Sequence, residues 1–261
     1  MKLYMFECGI LKSQKHLFTA GRGILEPFEC PVPFFLIEHP KGRVLFDTGN
    51  ALEVARNPLK HWGEAMVAAY GPVMREDQYV VNQLAKLDIS PASITHVIFS
   101  HLHLDHAGGC GEFPNAVYIV QRAEMEYAYT PDFFMKAAYI RADFDKPELN
   151  WLLLEGKEED PFDIFGDGTL KTIMTPGHTP GHQSLLVNLE KSGPMLLTGD
   201  SAYTEENINE DVLPGLACSM VDCVKSVKKM RNLRRTLGAQ IITGHDPIGW
   251  AKLKHAPQYY E

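Results

Sequence analysis

Short apolar runs rich in β-branched and aromatic residues, each closed by Gly, Pro or Asp, recur along the chain. They lie at 4–6, 34–37, 43–46, 97–99 and 117–120, and again at 171–174, 184–187, 195–198 and 240–243. Runs of this length bounded by turn residues predict strands. Two segments carry a helical period instead. In 76–88, Tyr79, Val80, Gln83, Leu84 and Leu87 fall near one face, and in 219–237, Val221, Val224, Val227, Met230, Leu233 and Leu237 do the same. Strands interleaved with helices predict an α/β layered fold. No linker, composition shift, fixed-period repeat or low-complexity tract divides the 261 residues, so a single domain over 1–261 is expected.

The ends of four predicted strands carry the first chemical signal. The runs at 97–99, 171–174, 195–198 and 240–243 lead into His101, His178, Asp200 and His245. A layered sheet would bring such ends to one edge, where ligand sites of α/β architectures collect. The small residues before them, Gly177, Thr198 with Gly199, and Gly244, let the backbone turn sharply there.

The segment 101–106 adds His101, His103, Asp105 and His106, more imidazole and carboxylate ligands than one tetrahedral ion takes. Two metals follow from the surplus. His101, His103, His178 and a shared Asp200 would serve one ion; Asp105, His106, His245 and the same Asp200 would serve the other. His182 reads as a hydrogen-bonded neighbour of the ligands. His16, His39, His61, His96 and His255 read as structural or solvent-facing. Asp47, at the end of another apolar run, is either a turn residue or a carboxylate that orients a ligand imidazole.

Composition narrows the partners. A formal net charge of -8 repels a phosphate backbone, which argues against nucleic acid, and Lys225, Lys228, Lys229, Arg231, Arg234 and Arg235 read as a solvated helix face. No apolar run approaches the roughly 20 residues that span a bilayer, and the first residues lack the pattern of a signal peptide, so a cytoplasmic protein without membrane contact is expected. Cys8, Cys30, Cys110, Cys218 and Cys223 form no CxxC pair and read as free thiols, with Cys110 notable for lying close after His106. There is no GxSxG elbow to supply a serine nucleophile.

The segments SHLHLDHAG (100–108), TPGHTPGHQS (175–184), TGDSAYT (198–204) and TGHD (243–246) resemble the metallo-β-lactamase superfamily, and within it the N-acyl homoserine lactone and γ-butyrolactone lactonases. PVPFFLI (31–37), GNALEV (49–54), HWG (61–63) and YIRADFDKP (139–147) look most like the Agrobacterium-type γ-butyrolactone lactonases. HxHxDH alone marks the superfamily; the stretches 200–203 and 130–151 carry the narrower likeness.

The resemblance implies an αββα sandwich, two zinc ions (other divalent metals also suit these ligands), a small lactone substrate, a homodimer, and quorum quenching or lactone catabolism. It implies that a hydroxide shared by the two ions attacks the lactone carbonyl, that Asp105 combines ligation with proton transfer, and that Tyr203 faces the carbonyl oxygen. A glyoxalase II-like thioester hydrolase is the alternative. That enzyme shares HxHxDH but has an added C-terminal helical region, whereas only 246–261 follow His245. In flavodiiron proteins a Glu replaces the second motif histidine, so His103 favours zinc over redox iron. The aromatic-rich segment 130–151 is either a wall or lid of the substrate pocket or a packing element beside a helix.

Overall fold

Most strands are buried on both faces, which is why their apolar runs read as continuous. A computed structural model describes residues 1–261 apart from the side chain of Lys157. Strands β1 (Lys2–Gln14), β2 (Pro27–His39), β3 (Gly42–Phe46), β4 (Pro72–Val73), β5 (Ile94–Ile98), β6 (Val117–Gln121) and β7 (Asn150–Leu154) form one sheet in the order β4-β1-β2-β3-β5-β6-β7. Strands β8 (Phe162–Asp163), β9 (Leu170–Met174), β10 (Gln183–Leu189), β11 (Gly193–Leu197) and β12 (Gln240–Ile242) form a second, in the order β12-β11-β10-β9-β8. The helices are α1 (Leu52–Arg56), α2 (Pro58–Trp62), α3 (Glu64–Tyr70), α4 (Val80–Ala85), α5 (Arg122–Tyr129), α6 (Arg141–Phe144), α7 (Glu205–Asn209), α8 (Met220–Leu237) and α9 (Pro247–Trp250).

Alternate residues of each strand serve different layers. Met5, Phe35, Ile37, Phe46 and Ile98 of the first sheet meet Leu185, Val187, Met195 and Leu197 of the second in the central core. Their neighbours Phe6, Phe34, Leu36, Leu45 and Val97 turn outward and pack under Val54, Trp62, Val80 and Leu84 of the helices on that side. On the far side Ile173, Leu186 and Leu196 pack against Val227 and Met230 of α8. The layers run helix, sheet, sheet, helix: the expected αββα sandwich. Each fully buried Leu, Ile or Phe in these layers contributes about 1.5–3 kcal/mol of transfer free energy.

Helix α8 lies where the period places it, with the Ser219 side chain accepting from Asp222 N–H (3.2 Å) and Gly238 closing it. The segment 76–88 is not one helix. Tyr79 is extended (φ -63°, ψ 143°) and confines the α-helix to Val80–Ala85. The N-terminal runs also understate β1 and β2, which pair over a long hairpin whose register shifts between Glu7 and Ile10. That bulge interrupts the alternation on which the short runs rest.

Parallel pairing of β3 with β5 and of β11 with β12, together with β9 lying two antiparallel steps from β11, points the C-terminal ends of these strands to one rim of the sandwich. No helix among the described residues is long and apolar enough to cross a membrane.

Candidate metal centre

From that rim the chain enters tight loops. After β5, the N–H groups of His106 and Ala107 both donate to His103 O (3.0 Å each), which coils the segment and brings its ligand-type side chains to one side. After β11, Gly199 adopts φ +51°, and a Cβ there would lie 2.8 Å from Ser100 Cβ and 2.9 Å from His182 Nε2, so only glycine lets the Asp200 loop approach the histidine loops.

The seven sequence-selected residues converge in two groups: His101, His103, His178 and Asp200 in one, Asp105, His106 and His245 in the other, all buried. In the first, His178 Nε2 lies 3.1 Å from His101 Nε2 and 2.9 Å from His103 Nδ1. Asp200 stands between the groups. Its Oδ2 is 3.4 Å from His178 Nε2 and 3.7 Å from His101 Nε2, while its Oδ1 is 3.2 Å from His245 Nε2 and 3.3 Å from His106 Nε2. Asp105 Oδ2 lies 3.6 Å from His245 Nε2 and 3.7 Å from His106 Nε2.

This donor set fits two divalent cations. Ring nitrogens so close together cannot all be satisfied by one another's protons, and His106 Nε2 and Asp200 Oδ1, which face the centre, are buried without a hydrogen-bond partner. Imidazole and carboxylate are the donors that borderline divalent metals accept, and seven side chains for two ions leave positions open for water or substrate. The halves differ in charge. Burial, then the neighbouring imidazoles, hold His101 and His103 well below the usual histidine range. Burial also pulls on His106 and His245, but Asp200 first, joined by Asp105 and Asp47 at His106 and by the Cys30 thiol at His245, raises both well above it.

Outer contacts fix the imidazoles. Asp47 is both things its sequence allowed: a turn residue at φ +56°, and a carboxylate whose Oδ2 holds His106 Nδ1 (2.9 Å) and Ser100 Oγ (2.8 Å) while Oδ1 accepts from Ser100 N–H (2.7 Å). His245 Nδ1 bonds to Pro31 O (2.8 Å) and His178 Nδ1 to Leu216 O (3.0 Å). His182 lies outside both groups; its Nε2 accepts from Asp200 N–H (3.0 Å) and its Nδ1 pairs with Thr175 Oγ1 (3.0 Å). The remaining histidines lie elsewhere, His39 against Asp167 (3.3 Å), His61 against Asp143 (3.1 Å) and His255 on the Trp250 ring. Cys110 is buried away from both groups, and burial pushes its thiol up to about 12.

A pocket opens onto the centre. Its floor is His103, Asp105, His178, Asp200, Tyr203 and His245; its walls include Leu11, Leu17, Phe18, Met66, Tyr70 and Leu216. The Tyr203 hydroxyl lies 3.0 Å from His178 Nδ1 and 3.4 Å from Leu216 O. Burial and the Asp200 charge hold its phenol well above the usual range, so it stays a proton donor. Segment 130–151 does both of the things open to it: Ala138 lines the pocket, while Met135, Tyr139 and Phe144 are buried against the first sheet's helices. Sequence reasoning missed the pocket walls, which come from a strand, loops and a helix with no shared spacing. It also missed Glu124, buried beneath the loops, whose only signal is an acidic residue in the first turn of a helix at the same rim.

Residues 27–245 match the family described as the Metallo-beta-lactamase superfamily. The chain is 53% identical over 261 residues to N-acyl homoserine lactonase AttM of Azorhizobium caulinodans, covering 100% of this chain and 99% of that one. It is 35% identical over 262 residues to N-acyl homoserine lactonase AiiA of Bacillus thuringiensis, covering 99% and 98%. Among solved structures it is similar to an N-acyl homoserine lactone hydrolase with the product N-hexanoyl-L-homoserine bound at its catalytic metal centre, at a TM-score of 0.89 and 30% identity over 99% of this chain and 98% of that one. With its layers, its loops and these relatives in agreement, the chain belongs to the metallo-β-lactamase superfamily and, within it, to the N-acyl homoserine lactonase family.

Proposed function

We propose that this protein is a two-metal lactonase that opens N-acyl homoserine lactones or γ-butyrolactone to hydroxy acids, in quorum quenching or lactone catabolism. The observation that carries the reading is Asp200, one oxygen toward each ligand group, at the floor of an apolar-walled pocket. We read the ions as zinc, held by His101, His103, His178 and Asp200 on one side and by Asp105, His106, His245 and Asp200 on the other. When bound, such a pair supplies acidification of a water and polarisation of the substrate carbonyl.

The residues do the rest. Asp105, on the pocket floor, takes the proton of the attacking water and returns it to the ring oxygen as the acyl C–O bond breaks, so that one water is added and no charge is stranded. The Tyr203 hydroxyl, its oxygen beside His178 Nδ1, donates to the carbonyl oxygen as negative charge develops there. The apolar walls take the lactone ring or its acyl chain and exclude bulk water. Five free cysteines suit a reducing compartment, and we place the protein in the cytoplasm as a homodimer.

A pH-stat assay with γ-butyrolactone, acyl homoserine lactones and S-lactoylglutathione in parallel tests this reading. Ring opening is expected, and turnover of the thioester alone would sink it.

A further inference from the structure

Glu124 is fully buried, and among the described residues it has no cationic partner. A carboxylate in that position is strongly disfavoured unless its oxygens are filled. Here they are filled from three directions. Oε1 accepts from Leu102 N–H (3.0 Å) and Tyr139 O–H (2.9 Å), Oε2 accepts from Thr179 O–H, and Gly181 N–H also donates to the carboxylate. Leu102 lies between His101 and His103, and Thr179 follows His178, so one side chain joins the loops bearing the three imidazoles of the first group. Tyr139 adds a third tie, its ring edge-on to His103 at 4.5 Å. The approach is close: a Cβ on Gly181 would fall 2.1 Å from Glu124 N. The other group is anchored elsewhere, His106 on Asp47 and His245 on Pro31 O.

We propose that Glu124 is the positioning residue of the first metal subsite: by fixing the 101–103 loop against the 178 loop it sets the affinity of the ion held by His101, His103, His178 and Asp200, and leaves the ion at Asp105, His106 and His245 untouched. The inference rests on the two-metal reading above. A glutamine of the same shape offers one acceptor oxygen and turns an NH₂ toward incoming donors, so at least one loop loses its partner.

The test is metal release. Wild type, Glu124→Gln, His178→Ala and the double variant that combines His178→Ala with Glu124→Gln are loaded with Zn²⁺ and titrated with a chelator, metal per chain being read by mass spectrometry. Wild type is expected to release two ions. Glu124→Gln should hold one ion as wild type does and release the other at about 10–100-fold lower chelator strength, the usual effect of losing an outer contact. In His178→Ala, where the first subsite is already dismantled, adding Glu124→Gln should not change the remaining ion. Should Glu124→Gln fail to fold, Thr179→Val and Tyr139→Phe, which each remove one donor and keep the carboxylate, are expected to split the two releases in the same sense. Loss of both ions in parallel, or release of both at wild-type strength, overturns the assignment. Wild type holding fewer than two ions would instead overturn the two-metal reading itself.

Discussion

In one half of the centre three imidazoles face each other, and their spacing is held through the backbone loops that Glu124 gathers; in the other, His106 and His245 are surrounded by Asp47, Asp105 and Asp200 and held by direct contacts on their rings. The first half depends on where two loops sit. Ring contacts exist there too, His178 Nδ1 to Leu216 O and His101 Nδ1 to Ser100 Oγ, but among the described residues the second half has no buried carboxylate gathering its loops and rests on ring contacts alone, so equivalent damage should reach the two ions by different routes. Asp200 is the element they share, and Tyr203 touches the first half through His178 without belonging to either ligand group.

The largest effect should come from removing what is shared. Asp200→Ala strips one donor from each group, and both ions are expected to weaken together, with kcat/KM falling by about 10³-fold or more, equivalent to several kcal/mol of metal-supplied stabilisation. Metal content and kinetics on the same preparation check it; loss of one ion alone would mean that the halves are not joined at this carboxylate. Tyr203→Phe separates substrate contact from metal support. It should keep both ions and lower kcat by about 10²-fold, as expected for one lost donor to a developing oxyanion. Were metal lost instead, the hydroxyl would be a support for His178.

What the sequence made legible was local. The spacing at 101–106 and the apolar runs ending at His178, Asp200 and His245 pick out all seven residues that the structure brings together, because ligand type and strand end are written within a few positions of each other. Helix α8 was legible for the same reason, with Ser219 and Gly238 flanking its period. Glu124 was not. Its partners Leu102, Tyr139 and Thr179 lie 22, 15 and 55 residues away, and one of them donates from the backbone, which no side chain announces. The hairpin's length was hidden by its register shift, and the break in 76–88 by the extended backbone of Tyr79, a residue that fits the helical period.

Asp47→Asn is the counterpart of Glu124→Gln on the other half. The amide keeps the shape but presents only one acceptor oxygen where Ser100 and His106 now share two. The ion at Asp105, His106 and His245 is expected to weaken by about 10–100-fold, and the first, which Asp47 reaches only through the Ser100 hydroxyl beside His101 Nδ1 (2.9 Å), to weaken less. Combined with Glu124→Gln, the two losses should add, since each acts chiefly on its own ion and the two carboxylates share no hydrogen-bond partner. A double variant no worse than either single one would show that the halves form one unit, and the contrast between them would collapse.

The smallest effect concerns the pairing of α2 with the helix that follows Tyr139, the residue packed on His103. Tyr139 leads directly into α6, whose Asp143 is paired with His61 of α2 at 3.1 Å, both side chains mostly buried. The hydrogen bond to Asp143 raises the His61 pKa above its ordinary 6.5, against the opposing pull of burial. A histidine raised in the folded state stabilises fully below its unfolded value and loses that contribution as pH rises through the folded value. Wild type should therefore exceed His61→Gln by about 1–3 kcal/mol at pH 6, the worth of a charged hydrogen bond, and the gap should narrow as pH rises above 6.5. Chemical denaturation of both proteins across that range measures it. A gap independent of pH would mean that His61 stays neutral in the pair, and the tie between α2 and α6 would then owe nothing to a charged imidazole.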